Sequence, residues 1–148
     1  MTPRIVPAFL GTLALALAAT PALGQANGEL RFRISNIDES RGGTIRCALY
    51  RDSETWLKRA ESYRDATAPV SGSSATCVFE DVPAGSYGIA ALHDADDDHE
   101  MDRSLVGVPE EGYAISRNEI ERMSEPDYDE ARIQFDGTRK TTRARMEY

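Results

Sequence analysis

An all-β antiparallel β-sandwich of about seven strands, with one or two short helices in its loops, is the fold class that this sequence predicts. Three observations carry it. Short segments alternate apolar and polar residues at the period of a half-buried strand, as in Ile45, Cys47 and Leu49. Clusters of Gly, Pro, Asp and Ser punctuate them at short intervals. No helical pattern long enough for a βα crossover separates successive strands. With 148 residues and 41% hydrophobic content, the chain is sized for one ordinary domain.

The elements follow in order. Leu30, Phe32, Ile34 and Ile37 mark a first strand, and Arg41, Gly42 and Gly43 turn the chain into a second over residues 44–50. Trp56, Leu57, Ala60 and Tyr63 recur at helical spacing behind Asp52 and Ser53, which predicts a short helix across one end of the sandwich. Its aromatic stripe reads as core cover. A third strand over residues 66–70 leads through Ser71, Gly72 and Ser73 to the strand containing Cys77. Val82, Pro83, Ala84 and Gly85 then form a tight turn into Tyr87–Leu92, whose nearly continuous apolar run marks a central strand. Residues 93 to about 129 form a long polar excursion with two weak helix signals. One is a capping pattern from Ser116 to Glu119, and the other starts at Ser124 with Pro126 in its first turn. Residues 131–135 and 141–148 close the domain as a hairpin around Asp136 and Gly137. No internal repeat or low-complexity linker interrupts residues 28–148, so they read as a single domain.

The N-terminus predicts export. Arg4 precedes an apolar run from Ile5 to Ala19 that ends at Thr20 and Pro21, and Ala22, Leu23 and Gly24 supply the small residues of a cleavage site. Residues 1–24 therefore read as a signal peptide cut after Gly24, and the mature chain as periplasmic or secreted. The run is short for a membrane anchor and holds Pro7, no Cys follows the site for lipid attachment, and no later stretch could span a bilayer. The formal charge is −8, and a leader with one basic and no acidic residue leaves about −9 on the mature chain. Such a surface repels phosphate backbones and anionic headgroups, which argues against nucleic acid or a membrane surface and in favour of cations.

Outside the cytoplasm an even number of cysteines reads as a bridge. Cys47 shares a strand face with Ile45 and Leu49, and Cys77 shares one with Ala75 and Phe79. If both faces point inward, a Cys47–Cys77 disulfide joins two strands. The alternative is a pair of free buried thiols; a redox-active role would need CxxC proximity or basic neighbours that the spacing does not show.

The order Pro83, Gly85, Tyr87, His93, Asp94, Asp102, Gly107, Pro109, Glu111, Gly112, Tyr113, Ser116 and Asn118 resembles the bacterial family known as domain of unknown function 2141. The resemblance extends over essentially all of the mature chain. It implies an exported sandwich similar to transthyretin-like (prealbumin-like) and carboxypeptidase-regulatory-like domains, and it implies no reaction.

Chemistry concentrates between His93 and Asp102. Asp94, Asp96 and Asp98 stand at alternate positions, as do the first, third and fifth ligands of a calcium loop, with the Glu100 carbonyl and Asp102 in the seventh and ninth places. The match departs at two positions: His99 stands where the turn needs Gly, and Leu105 where a bidentate carboxylate belongs. A calcium site here is expected to be weaker than a sensor site, unless Glu110 or Glu111 folds back to complete it. The plain alternative is a solvated acidic loop held by Asp side chains bonded to nearby backbone. His93 and His99 are too loosely spaced to define a transition-metal face, and the chain holds no Gly-x-Ser-x-Gly, His-Glu-x-x-His or phosphate loop.

Around Pro109, Gly107 and Gly112 shape a rigid loop beside this run. His93, Glu111, Tyr113 and Asn118 form a candidate binding surface, the alternative being that Tyr113 merely covers the core edge. Two functions from different classes follow. The first is a non-enzymatic binding or structural module, calcium-stabilised, that engages a protein or small-molecule ligand of the cell envelope. The second is a metal-dependent hydrolase reacting through His93, Asp94 and Glu111.

Overall fold

A computed structural model describes residues 27–117 and 126–148 of the chain. Residues 1–24, read from the sequence as a signal peptide, and Asn118 and Ser124 lie outside the described residues. In chain order the elements are β1 (Asn27–Ser35), β2 (Thr44–Tyr50), β3 (Arg64–Pro69), β4 (Ser74–Pro83), β5 (Gly85–Asp94), β6 (Gly112–Ile115), the one-turn helix α1 (Tyr128–Ala131), β7 (Ile133–Phe135) and β8 (Arg139–Arg145). One layer runs β4-β1-β8; the other runs β3-β2-β5-β6, with β7 also on β5. The all-β sandwich holds. No helix among the described residues is long and apolar enough to cross a membrane.

Alternation builds the core. Leu30, Phe32 and Ile34 of β1 face Ile45, Cys47 and Leu49 of β2 and Tyr87, Ile89 and Ala91 of β5, all buried between the layers. The expected disulfide is present: Cys47 on β2 and Cys77 on β4 are bonded, with their Cα atoms 6.3 Å apart, so the bridge staples one sheet to the other. β5 is central, as its apolar run predicts. It pairs with β2 along one side and with β6 and β7 end to end along the other. The Pro83–Tyr87 turn has a clear physical basis, since the Tyr87 hydroxyl donates to the Pro83 carbonyl at 2.9 Å.

A second apolar cluster covers the outer face of the larger sheet. Ala48, Tyr50, Trp56, Ile115, Tyr128 and Ala131 meet there, and the Trp56 indole donates to the Pro126 carbonyl at 2.6 Å. Trp56 is core cover, as its stripe suggests, but the helix expected over residues 52–63 is absent. Asp52 caps Thr55 at 2.9 Å, then Leu57 turns left-handed at φ 58° and ends the coil; only a 3-10 turn at Arg59–Glu61 remains.

Two further expectations change. The final hairpin does not form: β7 lies on β5 while β8 crosses to the other sheet and runs parallel to β1. Asp136 caps the Thr138 N–H at 3.0 Å, so the Asp-Gly turn is real, yet it connects layers rather than neighbouring strands. The polar excursion contains β6, and its helix begins later than expected, at Tyr128. The helix expected behind the Ser116 to Glu119 pattern falls on residues outside those described, but Ser116 itself is placed. Its buried hydroxyl accepts from Ile89 N–H at 2.9 Å and donates to the Ala131 carbonyl at 2.6 Å, closing the gap between β6 and β7 on β5.

Candidate functional site

Strand β5 ends in His93 and Asp94, and the pleat sends their side chains to opposite faces. His93 follows Ile89 and Ala91 into the space between the layers. There its Nε2 lies 2.7 Å from the Gly42 carbonyl and its Nδ1 2.7 Å from the Tyr148 hydroxyl. A carbonyl only accepts, so Nε2 carries the proton and Nδ1 accepts from Tyr148, whose oxygen also accepts from Asp38 N–H at 2.7 Å. Both imidazole nitrogens are therefore engaged. Arg41 lies over the Tyr148 ring, 4.7 Å from its centroid, and donates to the Glu110 carbonyl at 3.0 Å, tying the C-terminal residues to the loop after β5.

Asp94 turns the other way, onto the face carrying Arg46, and is fully buried. Its Oδ2 accepts from Arg46 Nε and from the His99 N–H at 3.1 Å. Burial is the strongest single influence on this carboxyl and pushes its pKa up. The Arg46 guanidinium, the His99 N–H and the positive charges of Arg46 and His99 together overcome it and hold Asp94 below the ordinary carboxylate range. The second oxygen, Oδ1, is buried with no hydrogen-bond partner among the described residues. Native proteins rarely leave a buried carboxylate oxygen in that state.

The β5–β6 register places Gly112 opposite His93, and so delivers Glu111 beside Asp94. Glu111 is 5% exposed; its Oε1 accepts from Ala95 N–H at 2.8 Å and its Oε2 from Asp102 N–H at 3.4 Å. Oxygens of Asp94, Asp96 and Glu111 all lie within 4.8 Å of one another. Two oxygens bonded to one calcium ion at 2.3–2.6 Å stand at most about 5 Å apart, so this trio fits a single ion of that size.

The backbone between these residues is locally tied. Asp96 accepts from Asp98 N–H at 3.2 Å, and Asp98 from Glu100 N–H at 2.8 Å. Asp97 and His99 take positive φ, 60° and 73°. His99 thus adopts the left-handed conformation that its place in the calcium-loop pattern demands, at a cost that glycine would avoid. Gly43 has the same sign, φ 73°, and lies against the loop: a Cβ there would sit 2.1 Å from the Asp94 carbonyl oxygen.

Of the residues singled out by sequence, Asp94, Asp96 and Glu111 are brought together. Asp98, Glu100 and Asp102 are exposed and outside the trio, the first two serving in turns. His93 stands on the other face, which separates it from Asp94 and Glu111 as a reacting partner. Tyr113 is half-buried in β6, its backbone paired with Glu147 at 2.9 Å in both directions. Sequence reasoning passed over Arg46, which binds Asp94 and, at 3.1 Å, Asp97; a lone outward arginine on a strand carries no signal until the register puts it beside a carboxylate.

No curated protein and no solved structure matches this chain. A family model does, over residues 32–143, which span β1 to β8 together with the carboxylate trio; its description is an uncharacterized protein conserved in bacteria. The chain belongs to the DUF2141 family.

Proposed function

We propose that this protein is an exported, non-enzymatic binding or structural module of the cell envelope, whose end loops are organised by a calcium ion held between Asp94, Asp96 and Glu111. The observation that carries the reading is the buried Asp94 Oδ1, left without a partner inside a group of three carboxylates. Three acids at that separation repel strongly, and Arg46 offsets the charge of only one of them. A hard cation satisfies the orphaned oxygen and removes the repulsion together. Backbone carbonyls and water complete the shell, with affinity in the range of extracellular modules, about 10⁻⁴ to 10⁻³ M. The segregation of His93 to the other face favours this reading over a hydrolase.

Thermal unfolding in chelator and then across a calcium titration tests it. At tenfold excess over the dissociation constant, calcium is expected to add about 1.4 kcal/mol, or a rise of several degrees in the midpoint. Asp96→Asn and Glu111→Gln are expected to abolish the rise, and Asp98→Asn to keep it. A midpoint that ignores calcium in the wild-type protein rejects the site.

A further inference from the structure

Beyond the trio the chain forms a small hairpin with an apolar tip. Asp102 and Glu110 form its base, joined by Glu110 N–H to the Asp102 carbonyl at 2.9 Å, and Arg103 and Pro109 pair above them. Ser104 accepts from Gly107 N–H and donates to the Val108 carbonyl, both at 2.8 Å. This leaves a three-residue loop of Leu105, Val106 and Gly107, with Gly107 at φ 82° in the left-handed conformation such loops require. The Arg103 guanidinium holds the Gly107 carbonyl from the side at 3.2 Å. The hairpin is thus internally bonded, and it presents Leu105, Val106 and Val108 at 108%, 86% and 57% exposure. Glu111, at its foot, is a member of the trio and bonds Asp102 N–H, so an ion held there is coupled directly to the base of the hairpin.

We infer that the Leu105–Val108 tip inserts into the surface of an anionic lipid bilayer, with calcium at the trio joining the acidic base of the hairpin to lipid phosphate; the calcium part rests on the reading given above. Size and shape favour a bilayer over a protein partner. The tip is convex, and its three side chains amount to on the order of 300 Å² of apolar surface, well short of the roughly 800 Å² per partner of a stable protein interface. A bilayer sets no such minimum, since each apolar side chain gains from leaving water on its own. Charge explains why a cation is needed. Asp98, Asp102 and Glu110 are exposed around the hairpin and outnumber the exposed Arg103, so they repel anionic headgroups until a divalent ion held beside them at the trio offsets their charge. The net negative charge that argues against a membrane surface is therefore the feature that makes contact depend on calcium.

The test is co-sedimentation of the mature protein with vesicles of phosphatidylcholine and phosphatidylglycerol at 7:3, and with pure phosphatidylcholine vesicles, in calcium and in chelator. Expected is binding to the mixed vesicles in calcium, reduced at least tenfold in chelator. The same loss is expected in Leu105→Asp/Val106→Asp, whose solvent-exposed changes leave the calcium-induced midpoint rise intact. If that rise is present and the vesicles capture nothing, the bilayer inference falls and the calcium reading stands. If binding needs the apolar tip but is the same in chelator and the midpoint is flat, the calcium reading falls and tip insertion survives. Undiminished binding of the double variant, or a dimer in sedimentation equilibrium that this variant dissolves, overturns the inference.

Discussion

Tyr50 is 2% exposed, packed edge-on against Trp56 with ring centroids 5.2 Å apart. Burial, reinforced by the nearby Asp65 carboxylate and opposed by Arg59, pushes its hydroxyl from 10.0 to about 12. A raised pKa means that the folded state favours the neutral phenol. The associated stability is complete below pH 10 and is lost as pH climbs towards 12. An absorbance titration of the tyrosines is therefore expected to show a late phase, to which burial of Tyr128 and Tyr148 also contributes, and Tyr50→Phe to remove the part of that phase near pH 12 and the alkaline destabilisation that accompanies it. His93 teaches a different lesson at this scale. A histidine beside an acidic run suggests metal or acid–base chemistry, yet Gly42 and Tyr148 use both of its nitrogens to tie the end of β5 to the C-terminal residues.

Among the elements, β5 carries the greatest structural load. It borders β2, β6 and β7, and at Ile89, where β6 gives way to β7, its backbone would lose a partner if Ser116 did not supply a hydroxyl. Ser116→Ala leaves the Ile89 N–H and a lone pair of the Ala131 carbonyl buried and unbonded. The expected loss is about 1–3 kcal/mol by chemical denaturation, with faster hydrogen exchange at the Ile89 amide; an unchanged amide would show that β5 does not depend on this bond. The outer cluster makes the same point through packing. The β5 glycine at position 88 sits under Trp56, and a Cβ there would fall 2.6 Å from the indole ring, so the loop over residues 52–58 is docked on a surface that admits no side chain.

For the whole molecule, the Cys47–Cys77 bridge is the disulfide that cross-links the two layers, across a sequence separation of 30. Closing a loop of that length is worth about 3 to 4 kcal/mol in the chain-entropy model. Cys47→Ser/Cys77→Ser is expected to lower the unfolding midpoint by about 10 to 20 degrees, measured against the oxidised protein with calcium held constant. A drop of only a degree or two would mean that packing between the layers already restrains the two strands. The bridge lies on the inward faces of β2 and β4, away from the carboxylate trio, so the double serine variant is expected to keep whatever calcium response the wild-type protein shows under the proposal above.

Local pattern was enough to read much of this protein. Strand period placed Cys47 and Cys77 on inward faces, the apolar run of residues 87–92 marked β5 as central, and the calcium-loop spacing anticipated the left-handed backbone at His99. These features depend on neighbours in sequence, where side-chain alternation and backbone sterics act directly. Other features needed the folded chain. β6 is only four residues long and lies inside a polar stretch, so it gains its strand character from pairing with β5 rather than from its own composition. The parallel course of β8 beside β1 follows from crossing between layers, which no turn motif encodes. The trio of Asp94, Asp96 and Glu111 was only partly legible, because the local spacing of aspartates suggested ligands along one loop. Tertiary register instead brought Glu111 in from the far side of a hairpin and Arg46 in from the next strand, and so selected which carboxylates share a site.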